Sequence, residues 1–261
     1  VDLALENWQK YIKEGIDSSG KHNLKYYAFD WDDNIVHMPT DIILLDKSGV
    51  EVGMGTADFA EYRSKIGKEP FEYNGKIIED FAPNSFRNFR VQGDEVFLQD
   101  IFRAKPAPAW DDFVECLNSA SIFAIVTARG HHPKTLKKAV YKYIMSNHDG
   151  IDSGKIIKNI KKYNKIFSKT KRDSSISGYL SLCKFYPVSF YEGSAASPEQ
   201  AKIVALREFA RYCAELNKTM DINIGFSDDD RRNIEAVEKH FGDEDGLPNL
   251  KLKYTGTEGR K

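Results

Sequence analysis

Apolar residues fall in two rhythms along this chain, and the points where each rhythm stops mark its elements. Three short β-rich runs carry little polar alternation: Tyr26-Tyr27-Ala28-Phe29, Ile122-Phe123-Ala124-Ile125-Val126 and Ile222-Asn223-Ile224-Gly225-Phe226. Such runs suit parallel strands covered on both faces. Each stops abruptly on polar residues, at Asp30-Trp31-Asp32-Asp33-Asn34, Thr127-Ala128-Arg129-Gly130 and Ser227-Asp228-Asp229-Asp230. Helical spacing is expected over Leu3 to Ile12, Ala57 to Ile66 with Gly67 at its end, Trp110 to Asn118, Pro133 to about Met145 with His132 near the cap, Pro198 to about Leu216, and Arg231 to His240. Tyr186 to Phe190 reads as a strand that Pro187 pushes to an edge, and Leu250 to Tyr254 alternates as a last strand.

Strand, polar tip and helix in succession predict an α/β fold, a Rossmann-like parallel sheet with helices on both faces. Between the first two tips, Ile42 to Leu45, the turn Asp46-Lys47-Ser48-Gly49 and Val50 to Val52 predict a β-hairpin. Residues 68–108 have weak periodicity and the breakers Pro83, Pro106 and Pro108. Residues 41–108 are therefore expected as an insertion folded over the sheet edge, 1–40 and 109–261 as the core, and 146–195 as a candidate second, smaller insertion.

A length of 261 residues with 41% hydrophobic content is enough for one substantial core plus an insertion. The net charge of -1 supplies no global field toward nucleic acid or an anionic membrane. Polarity is local instead. Lys155, Lys158, Lys161, Lys162, Lys165, Lys169, Lys171 and Arg172 occur with no acid among them, a solvated face being expected ahead of a polyanion site. Cys116, Cys183 and Cys213 form neither a metal-type pair nor a disulfide framework. No apolar stretch approaches the roughly 20 residues of a bilayer span, and Val1 to Glu6 lacks the basic start of a secretory signal, so a cytoplasmic protein without a membrane partner is expected.

Ligands of open α/β sheets gather outside the carboxyl ends of the strands. Asp30, Asp32, Thr127, Asp228 and Asp229 would meet at that edge, with Asp30 and Asp32 on one side if the extension continues. Carboxylates so gathered repel and raise one another's pKa unless a cation sits among them. Oxygen-only ligands suit magnesium, which keeps several waters and also binds phosphate. Asp228 to Asp230 would equally offset the dipole of the helix that follows. Thr127, beside amides that open a helix, can donate to phosphoryl oxygens. Lys202, just inside the helix begun by Ser197-Pro198, can offset charge on a transferred group, with Lys184 and the basic segment 155–172 as competitors for the role. Arg129, Arg87 and Arg90 are candidate substrate contacts, with surface ion pairs as the bland alternative for each.

In order, Asp30-Trp31-Asp32, Thr127, Lys202 and Asp228-Asp229 resemble the motifs of the haloacid dehalogenase-like superfamily of phosphohydrolases. Asn34 stands where that family usually has Thr or Val. The resemblance implies that Asp30 attacks phosphorus to give an aspartyl-phosphate and that Asp32 protonates the leaving oxygen and later activates water. It implies that Thr127 and Lys202 hold the phosphoryl group. It also implies magnesium on Asp30, the Asp32 carbonyl and Asp228, with Asp229 as ligand or neighbour, and a substrate-selecting cap at 41–108. The expected activity is magnesium-dependent phosphomonoester hydrolysis, on a small phosphorylated metabolite or nucleotide ahead of nucleic-acid ends. Phosphoryl transfer to another acceptor and a non-catalytic binding protein are the rival expectations.

Overall fold

Five strands form a parallel sheet: β1 (Lys25–Phe29), β8 (Phe123–Thr127), β9 (Lys184–Pro187), β10 (Asn223–Asp228) and β11 (Asn249–Tyr254), in the order β11-β10-β1-β8-β9. This computed structural model describes residues 25–167, 173–191, 197–216 and 222–256, so the helix expected over Leu3 to Ile12 lies outside the described residues. The sequence order runs outward from β1 through β8 to β9, then returns to the other side of β1 for β10 and β11. That reversal puts the crevice at the carboxyl ends of β1 and β10, where ligands of such sheets collect.

Period-two alternation explains the two layers of packing. Tyr27, Phe29, Phe123 and Ile125 point to one face and Tyr26, Ala28, Ala124 and Val126 to the other. The first face is covered by α2 (Asp94–Asp100), α3 (Trp110–Asn118), α4 (Pro133–Met145), α5 (Ser153–Phe167) and α6 (Ile176–Leu182). The second is covered by α7 (Pro198–Leu216) and α8 (Arg231–His240). Pro187 ends the edge strand β9, and His132 caps α4 by accepting from the Lys134 amide at 3.1 Å. Among the described residues of 146–195, a candidate insertion by sequence, Ile156, Ile160, Tyr179 and Leu180 are buried in this core and β9 joins the sheet.

A second, four-stranded antiparallel sheet follows β1 in the chain. It contains β3 (Asp41–Asp46), β4 (Glu51–Gly55), β5 (Phe71–Tyr73) and β6 (Lys76–Phe81), in the order β4-β3-β6-β5. Ile42, Leu44, Met54, Ile66, Phe71 and Ile78 give it an apolar cluster of its own. The helix expected over 57–66 is shorter, α1 (Thr56–Tyr62). The chain then continues in turns that bury Ile66 and reach Gly67, whose φ of +73° is left-handed. Within 68–108, Phe97 and Ile101 belong to the core of the parallel sheet rather than to this cluster. A short ribbon of β2 (Val36–His37) and β7 (Lys105–Pro106) stands at the base of the segment.

The three cysteines are free and buried. Among the described residues no helix is long and apolar enough to cross a membrane.

Candidate active site

Register carries the acids together. Phe29 lies opposite Ser227 on β10, so Asp30 leaves β1 beside the end of β10, where Asp228 stands. Asp30, Asp228 and Asp229 each offer an oxygen within 4.8 Å of the others. Lys202, near the start of α7, reaches between them, with Nζ 2.7 Å from Asp228 Oδ2 and 3.1 Å from Asp30 Oδ1. Lys202 is 2% exposed, Asp30 6% and Asp228 0%, so bulk water screens these charges poorly. The approach to Asp30 Oδ1 is an ion pair without hydrogen-bond geometry, which leaves that buried oxygen with no hydrogen-bond partner among the described residues.

Three carboxylates against one ammonium leave negative charge uncompensated, and titration reflects it. Burial, with Asp228 and Asp32 adding and Lys202 opposing, pushes Asp30 up to about 7. Burial and the charges of Asp30 and Asp228 push Asp229 up to about 9. For Lys202 burial alone would favour the neutral amine, but the attraction of Asp228 and Asp30 outweighs it and raises the pKa. A buried set of hard oxygen donors with surplus negative charge fits a magnesium-sized cation. Asp228 is also held in place, since Asn233 Nδ2 donates to its Oδ1 at 3.0 Å and Oδ2 at 3.1 Å, and the Asp230 amide donates to Oδ1 at 2.9 Å. The capping expectation for the acidic run belongs to Asp230, which accepts from the Arg232 amide at 3.0 Å as N-cap of α8.

Asp32 has a separate counter-charge. Arg129 donates through Nε to Asp32 Oδ2 at 2.7 Å and through Nη2 to Oδ1 at 2.6 Å, a planar fork on a planar carboxylate. The guanidinium is 1% exposed and lies over the rings of Phe89 and Phe97, 4.7 and 4.9 Å from their centroids. It also donates to Thr40 Oγ1 at 3.1 Å and meets His131 Nε2 at 3.1 Å. Burial, then the charge of Arg129, lowers the His131 pKa to about 4, against the pull of Asp94. A neutral ring must donate through Nδ1 to Asp94, 2.9 Å away, and accept from Arg129 through Nε2. Thr135 Oγ1 donates to the other Asp94 oxygen at 2.8 Å and completes the chain.

Thr127 is 1% exposed at the end of β8, its hydroxyl accepting from the Arg129 amide at 3.3 Å. Lys184 sits over the Tyr212 ring, 3.9 Å from its centroid, and Lys202 alone of the two reaches the acids. Arg87 is not brought to the acids: it forks onto Glu51 at 2.6 and 3.1 Å on the surface of the antiparallel sheet. Arg90 donates instead to the Ser189 carbonyl at 2.5 Å, beside Gly130, where a Cβ would lie 2.8 Å from the Arg90 side chain. Arg129 meets an acid rather than open space. In all three, a nearer protein oxygen captures the guanidinium.

Sequence reading missed Asn233, Thr40, His131, Asp94 and the role of Asn34. Only Asn233 had a local signal, a side-chain amide in the first turn of α8 just after the acid pair. The segment that follows β4 touches the acid loop directly, because Thr56 Oγ1, at the start of α1, donates to Asp33 Oδ2 at 2.6 Å. Asp33 has a left-handed φ of 56°, a conformation Asp tolerates better than most residues. Comparison with protein-family models, curated proteins and solved structures found no match to this chain.

Proposed function

We propose that this chain is a magnesium-dependent phosphomonoester hydrolase with a haloacid dehalogenase-like core, Asp30 serving as nucleophile. The observation that carries the reading is the buried meeting of Asp30, Asp228 and Asp229 around one lysine at the switch point of a parallel sheet. The order of the motifs agrees with it.

Asp30 attacks phosphorus, forming an Asp30 O–P bond as the bond to the leaving oxygen breaks. Asp32 gives its proton to that oxygen, so the leaving group departs as an alcohol. Asp32 then takes a proton from water, whose oxygen attacks phosphorus, and the Asp30 O–P bond breaks to free inorganic phosphate. Arg129 occupies one lone pair on each Asp32 oxygen and fixes the carboxylate plane, leaving the outer lone pairs for the proton. Lys202, with three protons and one committed to Asp228, can offer another to a phosphoryl oxygen, and Thr127 can offer its hydroxyl. Magnesium held by Asp30, Asp228 and Asp229 would supply the positive charge that keeps Asp30 ionised and offsets the charge of the incoming phosphoryl group.

Residues 41–108 would act as a cap, anchored to the acid loop by Thr56 of α1, and the balanced net charge of -1 favours a small phosphorylated metabolite or nucleotide over nucleic-acid ends as substrate. The test is phosphate release from an aryl phosphate and a panel of phosphorylated metabolites by the wild type and Asp30→Asn, with magnesium and with chelator. Release that needs magnesium and is lost in Asp30→Asn is expected. Release that survives exhaustive chelation, or near-wild-type turnover by Asp30→Asn, would refute the reading.

A further inference from the structure

Asn34 is wholly buried and its side chain is heavily hydrogen-bonded between the strand ends that carry the acids. Its Nδ2 lies 3.1 Å from the Asp30 carbonyl, 3.2 Å from the Ser227 carbonyl and 3.0 Å from Ser227 Oγ. Two of these partners can only accept, so the amide nitrogen must face them and its two protons serve three oxygens. On the other side, Thr255 Oγ1 donates to Asn34 Oδ1 at 2.7 Å. The backbone closes the same ring: the Asp30 amide donates to the Ser227 carbonyl at 3.0 Å and the Thr255 amide to the Asp228 carbonyl at 3.0 Å. The Asn34 carbonyl accepts from the Ala109 amide at 2.7 Å. Gly256, just past Thr255, runs so close behind the acid loop that a Cβ there would lie 2.3 Å from the Asp229 carbonyl.

One side chain therefore bonds the peptide of Asp30, the residue before Asp228, and the strand end that packs behind Asp228 and Asp229. We infer that Asn34 is a positioning residue that sets the separation of Asp30 from Asp228, and thereby the cation affinity of the site, acting through Ser227 and Thr255. The inference rests on the reading of Asp30, Asp228 and Asp229 as a cation site. It concerns the position where this chain departs from the family it resembles. A side chain of Val or Leu has no protons for two carbonyl oxygens. The two strand ends would then be joined only by main-chain bonds, and the acids would be free to relax apart under their mutual repulsion.

The experiment is calorimetric titration of the whole chain with magnesium, without substrate, for the wild type, Asn34→Leu, Ser227→Ala and Thr255→Val. Outer groups that orient ligands commonly change metal affinity by about tenfold to a hundredfold, and a loss in that range is expected for Asn34→Leu. Smaller losses in the same direction are expected for the other two, which keep the amide and carry the test if Asn34→Leu does not fold. The magnesium concentration needed for half activation should rise in step with the lost affinity, a shift that a general loss of stability would not produce. Wild-type magnesium affinity in all folded variants would overturn the inference and leave the proposed function standing. No magnesium binding by the wild type would overturn both.

Discussion

Burial of Asp30 makes a specific claim about stability in the absence of metal. Its pKa moves from an ordinary 3.8 to about 7, so between pH 4 and 7 the folded protein retains a proton that the unfolded chain has released. Wherever the folded state binds more protons, raising the pH disfavours folding, so this contribution destabilises progressively through that window and is complete above it. A shift of about 3 units at 1.36 kcal/mol per unit corresponds to about 4 kcal/mol. For a chain of this size that is on the order of 10 °C in melting temperature. Asp229, pushed up to about 9, acts in the same direction and extends the fall to higher pH.

The assay is thermal unfolding from pH 5 to 8 in chelator, for the wild type and for Asp30→Asn, whose amide cannot titrate. The wild type should lose stability across this range more steeply than the mutant, and the difference reports Asp30 together with the part of the Asp229 shift that the Asp30 charge causes. Magnesium should remove most of that difference, because a bound cation holds the carboxylates ionised in the folded state as well. Parallel profiles for the two proteins in chelator would refute the reasoning, since they would mean that Asp30 is ionised at its ordinary pKa and feels neither burial nor its acidic neighbours.

Two further outcomes follow from the counter-charges. Lys202→Met strands buried carboxylates and should cost about 3–5 kcal/mol, whereas Lys184→Met removes a cation–ring contact and should cost no more than about 1 kcal/mol; chemical denaturation checks both, and equal costs would remove the special status of Lys202. Arg129→Met should reduce turnover by at least about tenfold and should harm alkyl phosphates more than aryl phosphates, because an aryl leaving group needs less help from the Asp32 proton. Arg129→Lys should not restore it, as an ammonium lacks the fork that fits both oxygens. An identical loss with both leaving groups would show that Arg129 does not act through Asp32.

What the sequence disclosed and what it hid divide along a physical line. Apolar runs ending abruptly on polar residues named β1, β8 and β10, because strand burial leaves a short apolar run and a sharp end. His132, Pro133, Asp230 and Ser197-Pro198 marked helix starts because capping is also local. Helix α5 was hidden because the exposed Lys155, Lys158, Lys161 and Lys162 raise the segment's average polarity, while Ile156 and Ile160, four apart, are enough to bind the helix to the core. The end of α1 at Tyr62 was hidden because burial of Ile66 in the small sheet's cluster, a contact far from the helix itself, decides it.

The same division runs through the candidate site. Asp30, Asp32, Asp228 and Asp229 are legible as acids, yet what each acid can do depends on which cation reaches it, and each cation arrives from far along the chain. Lys202 is 172 residues from Asp30, and Arg129 is 97 residues from Asp32. No spacing rule connects such pairs, so a fork such as Arg129 reads equally well as a substrate contact until the fold brings a carboxylate to it. The two acids of Asp30-Trp31-Asp32 consequently differ more than their symmetry in the motif suggests. Asp32 has a full guanidinium to itself, while Asp30 shares one ammonium with Asp228 beside a third carboxylate. That inequality leaves Asp30 short of positive charge, and it is Asp30, not Asp32, whose environment calls for a cation.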